Sequence, residues 1–147
     1  MIHTVAQIGT KLASTLLFTL LLCVSASAQA PPKPEQLAQV SSDAWLDGVD
    51  SGKYAESWDE AAQSFKAAVT KEQWHSALDK VRTPQGKVLS RKLKSATYTK
   101  TLPNAPEGEY VVIQYDTNFE QKPGAVETMV PMLDKDGKWR VSGYFIQ

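Results

Sequence analysis

Cysteine is nearly absent from this chain: among 147 residues there is one, Cys23. Histidine is scarce, with His3 and His75 alone, and no G-x-S-x-G occurs anywhere. No apolar run reaches the roughly 20 residues that a membrane-spanning helix needs. Neither sign of charge is in excess, with 16 Lys+Arg against 16 Asp+Glu. Each shortage excludes something. Balanced charge leaves no electrostatic footprint for nucleic acid. The missing serine-nucleophile motif argues against Ser-His-Asp hydrolysis. The apolar content, 42%, is too ordinary for a disordered chain.

What is present begins with an unequal first segment. Lys11 is followed by the apolar stretch of residues 12–24 (LASTLLFTLLLCV) and then by the small residues Ser25, Ala26, Ser27 and Ala28. A short basic region, a short apolar region and a small-residue site in that order form a secretory signal peptide. Cleavage is expected after Ala28, since cleavage after Ala30 would place Pro31 just past the cut. Leu22 before Cys23 is too bulky for a lipid-attachment site. The expected address is therefore periplasmic or secreted, with no stable membrane anchor after cleavage.

Removal of residues 1–28 leaves 119 residues with a net charge of −1 and no cysteine, because the removed segment holds Lys11, Cys23 and no acid. Zinc sites built on Cys or His clusters and Cys-His chemistry then lack their ligands, and no cofactor is implied. Without disulfides, burial must supply the stability. A chain of this length buries about two thirds of its unfolded surface, enough for one core and one domain. Residues 29–36, with Pro31, Pro32 and Pro34, are expected as an extended leader, and residues 37–147 as a single domain.

Periodicity predicts three helices. Leu37, Val40, Ala44, Trp45 and Val49 recur at helical spacing up to Gly52, and Tyr54, Trp58, Ala61, Ala62, Phe65 and Val69 form a second stripe over 54–69. Thr70 and Gln73 form a capping box that opens a third helix with Trp74, Ala77, Leu78 and Val81 as its apolar face. Beyond Gly86 the period changes to two. Segments 87–102, 109–120, 125–134 and 138–146 alternate and are rich in β-branched and aromatic residues, with Pro, Gly, Asn and Asp at their joints. Such short joints favour antiparallel neighbours. The expected fold is α+β: three N-terminal helices packed on a bent four-stranded antiparallel sheet, NTF2-like in outline.

The segments GKYAESW, FKAAVTKEQW, PQGKVLSRKL, GEYVVIQ, AVET and DGKWRVSGYF resemble an exported bacterial family catalogued as domain of unknown function four thousand and nineteen. The resemblance covers roughly residues 44–147. It implies an exported address and an NTF2-like, cystatin-like cone, and it carries no established activity, substrate or catalytic residue.

Candidate site residues follow from charge and aromatic placement. On the first strand Leu89, Arg91 and Leu93 alternate onto one face; on the third, Glu127 alternates with Ala125, Met129 and Leu133. A charge in an apolar row must be paired or wet, so Arg91 and Glu127 are either an inter-strand salt bridge or a ligand-orienting pair. Tyr54, Trp58, Tyr115 and Tyr144 are the aromatics available to line the same pocket, with a core role as the plain alternative. Tyr115 and Asp116 point to opposite faces and cannot act together. His75, near Glu72 and Asp79, reads as an exposed helical residue rather than a general base. Lys92, Lys94, Tyr98 and Lys100 read as one row on the opposite face, a lysine defence of an edge strand. Pro131 inside the third strand calls for a bulge.

The functional expectation is a non-enzymatic binding or interaction domain, taking a small apolar or amphipathic ligand in the cone or pairing as a homodimer through the sheet face. The alternatives are a small isomerase- or dehydratase-type enzyme with a pocket tyrosine and a carboxylate, and an envelope assembly partner. No catalytic residue is assigned.

Overall fold

The computed structural model of the protein describes residues 30–147; the expected signal peptide lies outside the described residues. Pro34 starts the first helix, α1 (Pro34–Asp50), so helix replaces the last part of the expected leader. Proline is favourable there, because the first helical residue has no intrahelical use for an N–H. After α1 come α2 (Tyr54–Asp59), α3 (Gln63–Ala68), α4 (Lys71–Val81) and a 3-10 turn at Thr83–Gln85. The strands β1 (Val88–Thr99), β2 (Tyr110–Phe119), β3 (Ala125–Leu133) and β4 (Trp139–Ile146) follow as an antiparallel meander, ordered β1-β2-β3-β4. The fold is α+β, with helices followed by a four-stranded antiparallel sheet.

Four helices stand where the periodicity predicts three. The stripe over 54–69 is broken at Glu60–Ala62, where the Ala62 N–H donates to the Val141 carbonyl of β4 at 2.8 Å instead of continuing the helix. Ala61 and Ala62 are fully buried at this junction. The capping box of α4 forms as expected, with Thr70 Oγ1 accepting from the Gln73 N–H.

The face that α1 buries also differs from the expected stripe. Ala38, Ser42, Trp45, Leu46 and Val49 pack inward, whereas Leu37 and Val40 are exposed. Small residues at 38 and 42 let the helix lie close on the sheet, and its contacts run across all four strands. The core between α1 and the sheet is closed by Leu46, Val49, Val111, Ile113 and Met129, each at 1% exposure or less. Trp45 packs at its centre, tilted against Trp74 and edge-on to Tyr144.

Two extra residues in β1 shift its phase. The ladder to β2 slips between Val88 and Ser90 and again between Leu93 and Ser95, leaving Leu89 and Lys94 as bulges. Leu89 is therefore exposed at 67% rather than aligned with Arg91. Tyr98 stands opposite Val111, packs against the core and donates to Glu109 at 2.7 Å, so it does not share the lysines' face. Lys94 meets Asp116 at 3.3 Å. At Pro131 the expected irregularity is found: β4 takes an extra residue between Val141 and Tyr144, and the Ser142 hydroxyl donates to the Val130 carbonyl.

Candidate functional site

The register of the sheet gathers a polar cluster at one end of the inner face. Arg91 pairs with Thr117 across β1–β2, Tyr115 pairs with Glu127 across β2–β3, and Tyr144 projects inward from β4. Two helix ends reach the same place. Asp50 closes α1, and Arg82 caps α4.

Glu127 is fully buried and accepts four hydrogen bonds. Oε2 takes Arg91 Nε at 2.6 Å and the Thr117 hydroxyl at 2.6 Å; Oε1 takes Arg91 Nη2 at 3.1 Å and the Tyr144 hydroxyl at 2.5 Å. Asp50 completes the arrangement from above. It accepts Arg91 Nη1 at 2.7 Å and Nη2 at 3.2 Å, together with Arg82 Nη2 at 3.0 Å. Arg82 also donates to the Gly86 carbonyl at 2.7 Å and lies 4.7 Å over the Phe119 ring. Two guanidinium groups and two carboxylates thus alternate, so the charges cancel locally. A buried charge requires such partners, since desolvation without them costs several kcal/mol.

The ionisation of the neighbours follows from this setting. Burial opposes the charge on Arg91, and hydrogen bonds to Asp50 and Glu127 more than offset it, leaving the guanidinium pKa above its ordinary value. Burial, then the negative charge of Glu127, pushes the Tyr144 phenol well above the usual tyrosine range. Tyr115 is raised by burial and by its 2.6 Å hydrogen bond to Asp43. Both phenols are neutral donors at physiological pH.

Of the sequence-predicted residues, the fold brings Arg91, Glu127 and Tyr144 into direct contact and sets Tyr115 beside them. Tyr54 and Trp58 are engaged elsewhere. The Tyr54 hydroxyl meets Thr83 Oγ1 at 2.9 Å, and its ring stands edge-on to His75. The Trp58 indole donates to the Val69 carbonyl at 2.7 Å, with Lys71 over its face. His75 is half exposed and pairs with Asp79 at 3.1 Å.

Asp50, Arg82 and Thr117 belong to the cluster and were not among the expected residues. One signal for Asp50 was available: a carboxylate in the last turn of a helix opposes the macrodipole and calls for a cation. At the far end of the sheet a separate cleft of about 720 Å³ opens between the β1–β2 loop and the β3–β4 turn, lined by Tyr110, Met132, Asp134, Arg140, Ser64 and Pro106. Within it Arg140 is bonded to Asp134 and Asp136 and holds the Asp136 carboxyl well below the usual range. Among the described residues no group of three His, Cys, Asp or Glu side chains forms a metal-binding cluster, and no helix is long and apolar enough to cross a membrane.

The family model described as "Protein of unknown function (DUF4019)" matches residues 41–144. The chain belongs to this family. Comparison with curated proteins and with solved structures gives no match. All six members of the polar cluster, from Asp50 to Tyr144, fall within the span that defines DUF4019 here.

Proposed function

We propose that this DUF4019 protein is an exported, non-enzymatic domain that works by recognition, offering the outer face of its sheet to another protein or to a second copy. One observation carries the reading: both oxygens of Glu127 are occupied by donors from β1, β2 and β4. A general base needs a lone pair aimed at a substrate proton. Here the carboxylate serves instead to join the strands, which weighs against the isomerase or dehydratase alternative.

The outer face supports recognition. Val112, Thr128 and Val130 are half-buried and Phe145 is 57% exposed there, opposite the face on which α1 packs. A contiguous apolar surface rimmed by polar residues is the usual form of a protein-interaction site. An NTF2-like architecture is part of the same proposal, supported by the order of helices followed by a meander of four strands. The cone in this reading is filled by the protein's own side chains. The 720 Å³ cleft favours a second reading, a small amphipathic ligand held between Met132 and the charges around Arg140.

Site-directed photo-crosslinking in cells, with the reactive group at Thr128 and a control at the exposed Asp47 of α1, tests the main reading. A discrete adduct from position 128 alone is expected. The absence of any adduct, combined with a small molecule retained in native mass spectrometry, would favour the cleft. The exported address predicts Gln29 as the N-terminal residue of protein recovered from the periplasm.

A further inference from the structure

The helix α4 is only partly used by the fold. Of its expected apolar face it buries Trp74 and Leu78; Ala77 and Val81 stay exposed, Val81 at 47%. These two residues line an apolar groove of about 320 Å³ that is floored by Trp74 and Leu78 and walled by Phe145 and Ile146 of β4. Beside the groove lies a shallow depression formed by Glu72, Gln73, Ser76, Ala77, Lys80 and Val81. Glu72 and Lys80 make no ion pair or side-chain hydrogen bond among the described residues, in contrast to His75 and Asp79 on the adjoining face.

The two unpaired charges are placed symmetrically. Glu72 stands four residues before Ser76 and Lys80 four residues after it, about 6 Å along the axis on either side. We infer that this face of α4 is a self-association surface, on which α4 lies antiparallel to α4 of a second copy about a two-fold axis near Ser76. A two-fold axis there sets Glu72 against Lys80 of the partner subunit and, by the same operation, Lys80 against Glu72 of the partner subunit. Parallel packing would oppose like charges. The contact is isologous, as in most dimers, and closes on itself.

Side-chain size agrees with this placement. Ser76 and Ala77 at the centre allow close approach of two helices, while Val81 and Phe145 on the flanks supply apolar area now open to water. Antiparallel helices also oppose their macrodipoles favourably. The inference goes beyond the recognition proposed for the outer sheet face, because α4 presents a different surface that meets the outer face only at Phe145.

Sedimentation velocity on the purified full-length-encoded protein, over a range from micromolar to a few hundred micromolar, tests it with charge exchange. The wild type should form a dimer. Glu72→Lys and Lys80→Glu should each weaken the dimer at least about tenfold, since each replaces two attractive contacts by two repulsive ones. The double exchange should restore it. Both side chains are exposed, so circular dichroism of the variants should match the wild type. A wild type that stays monomeric throughout would overturn the inference. So would single exchanges that leave the dimer intact, or a double exchange that fails to restore it. Substituting Val112→Lys on the outer face, on the side of β1 and away from Phe145, should leave the α4 dimer unaffected, so failure of one surface is distinguishable from failure of the other.

Discussion

Arg91 and Glu127 meet over the top of an intervening strand: Nε of Arg91 on β1 reaches Oε2 of Glu127 on β3 at 2.6 Å, with Thr117 of β2 bonded to the same oxygen beneath them. The pair therefore ties together strands that share no ladder. Asp50 and Arg82 extend the tie to two helix ends.

Replacing Glu127→Gln keeps the shape and removes the charge. Arg91 would retain Asp50 alone, and one amide nitrogen would face donors. Loss of a partner from a buried pair costs about 3 kcal/mol or more. A clear drop in the denaturant midpoint at unchanged m-value is expected; an unchanged midpoint with lost ligand binding would instead mark the residue as a ligand contact.

Tyr144 sets an alkaline limit. Its phenol ionises less readily in the folded protein than at the ordinary value of 10.0, because of burial and then Glu127. Such a group contributes its full stability below the unfolded-state value and loses it as pH rises toward the folded one. Above about pH 10 the loss from this residue approaches about 1.4 kcal/mol per pH unit. Tyr144→Phe should lower stability at neutral pH by about 1 kcal/mol and flatten that decline, which chemical denaturation at pH 7 and pH 11 would measure.

The tryptophans should rank by burial. Trp45 is 4% exposed, donates to the Ser57 carbonyl at 2.8 Å and touches Trp74 and Tyr144. Trp45→Ala should cost about 3 to 5 kcal/mol. Trp139 packs against the edge of the core and is only half-buried, so Trp139→Ala should cost distinctly less by the same thermal or denaturant assay.

Gly86 is irreplaceable for two reasons. Its φ of 75° is closed to most side chains, and a β-carbon would stand 2.7 Å from Glu120 Oε2 and 3.0 Å from Glu120 Cβ. That carboxylate is held by the Lys87 N–H at 2.8 Å, so it does not move freely. Gly86→Ala should cost about 2 to 3 kcal/mol, read as a shift in denaturant midpoint.

The strands, their order and the capping box of α4 were legible because local chemistry dictates them: alternation within each run, Gly124 and Gly137 at the turns, Thr70 and Gln73 at the cap. Glu127 was legible because a charge in the buried row of Ala125 and Met129 demands a partner, whereas the row expected around Arg91 is broken by the bulge at Leu89. The buried face of α1 was not, since its inner positions Ala38 and Ser42 carry little hydrophobic signal while the exposed Leu37 and Val40 carry more. The break between α2 and α3 depends on the Val141 carbonyl some 80 residues away, which no local pattern encodes. Asp50, Arg82 and Thr117 converge through tertiary packing alone.

The bulge at Lys94 gives β1 two reading frames. Arg91 and Tyr98 are seven residues apart, an odd interval that would place them on opposite sides of a regular strand, yet both face the core. One residue separates these frames, and that residue is Lys94 itself: deleting it would set Arg91 and Tyr98 six apart, so Arg91, Ala96 and Tyr98 would keep the core face of an unbulged strand.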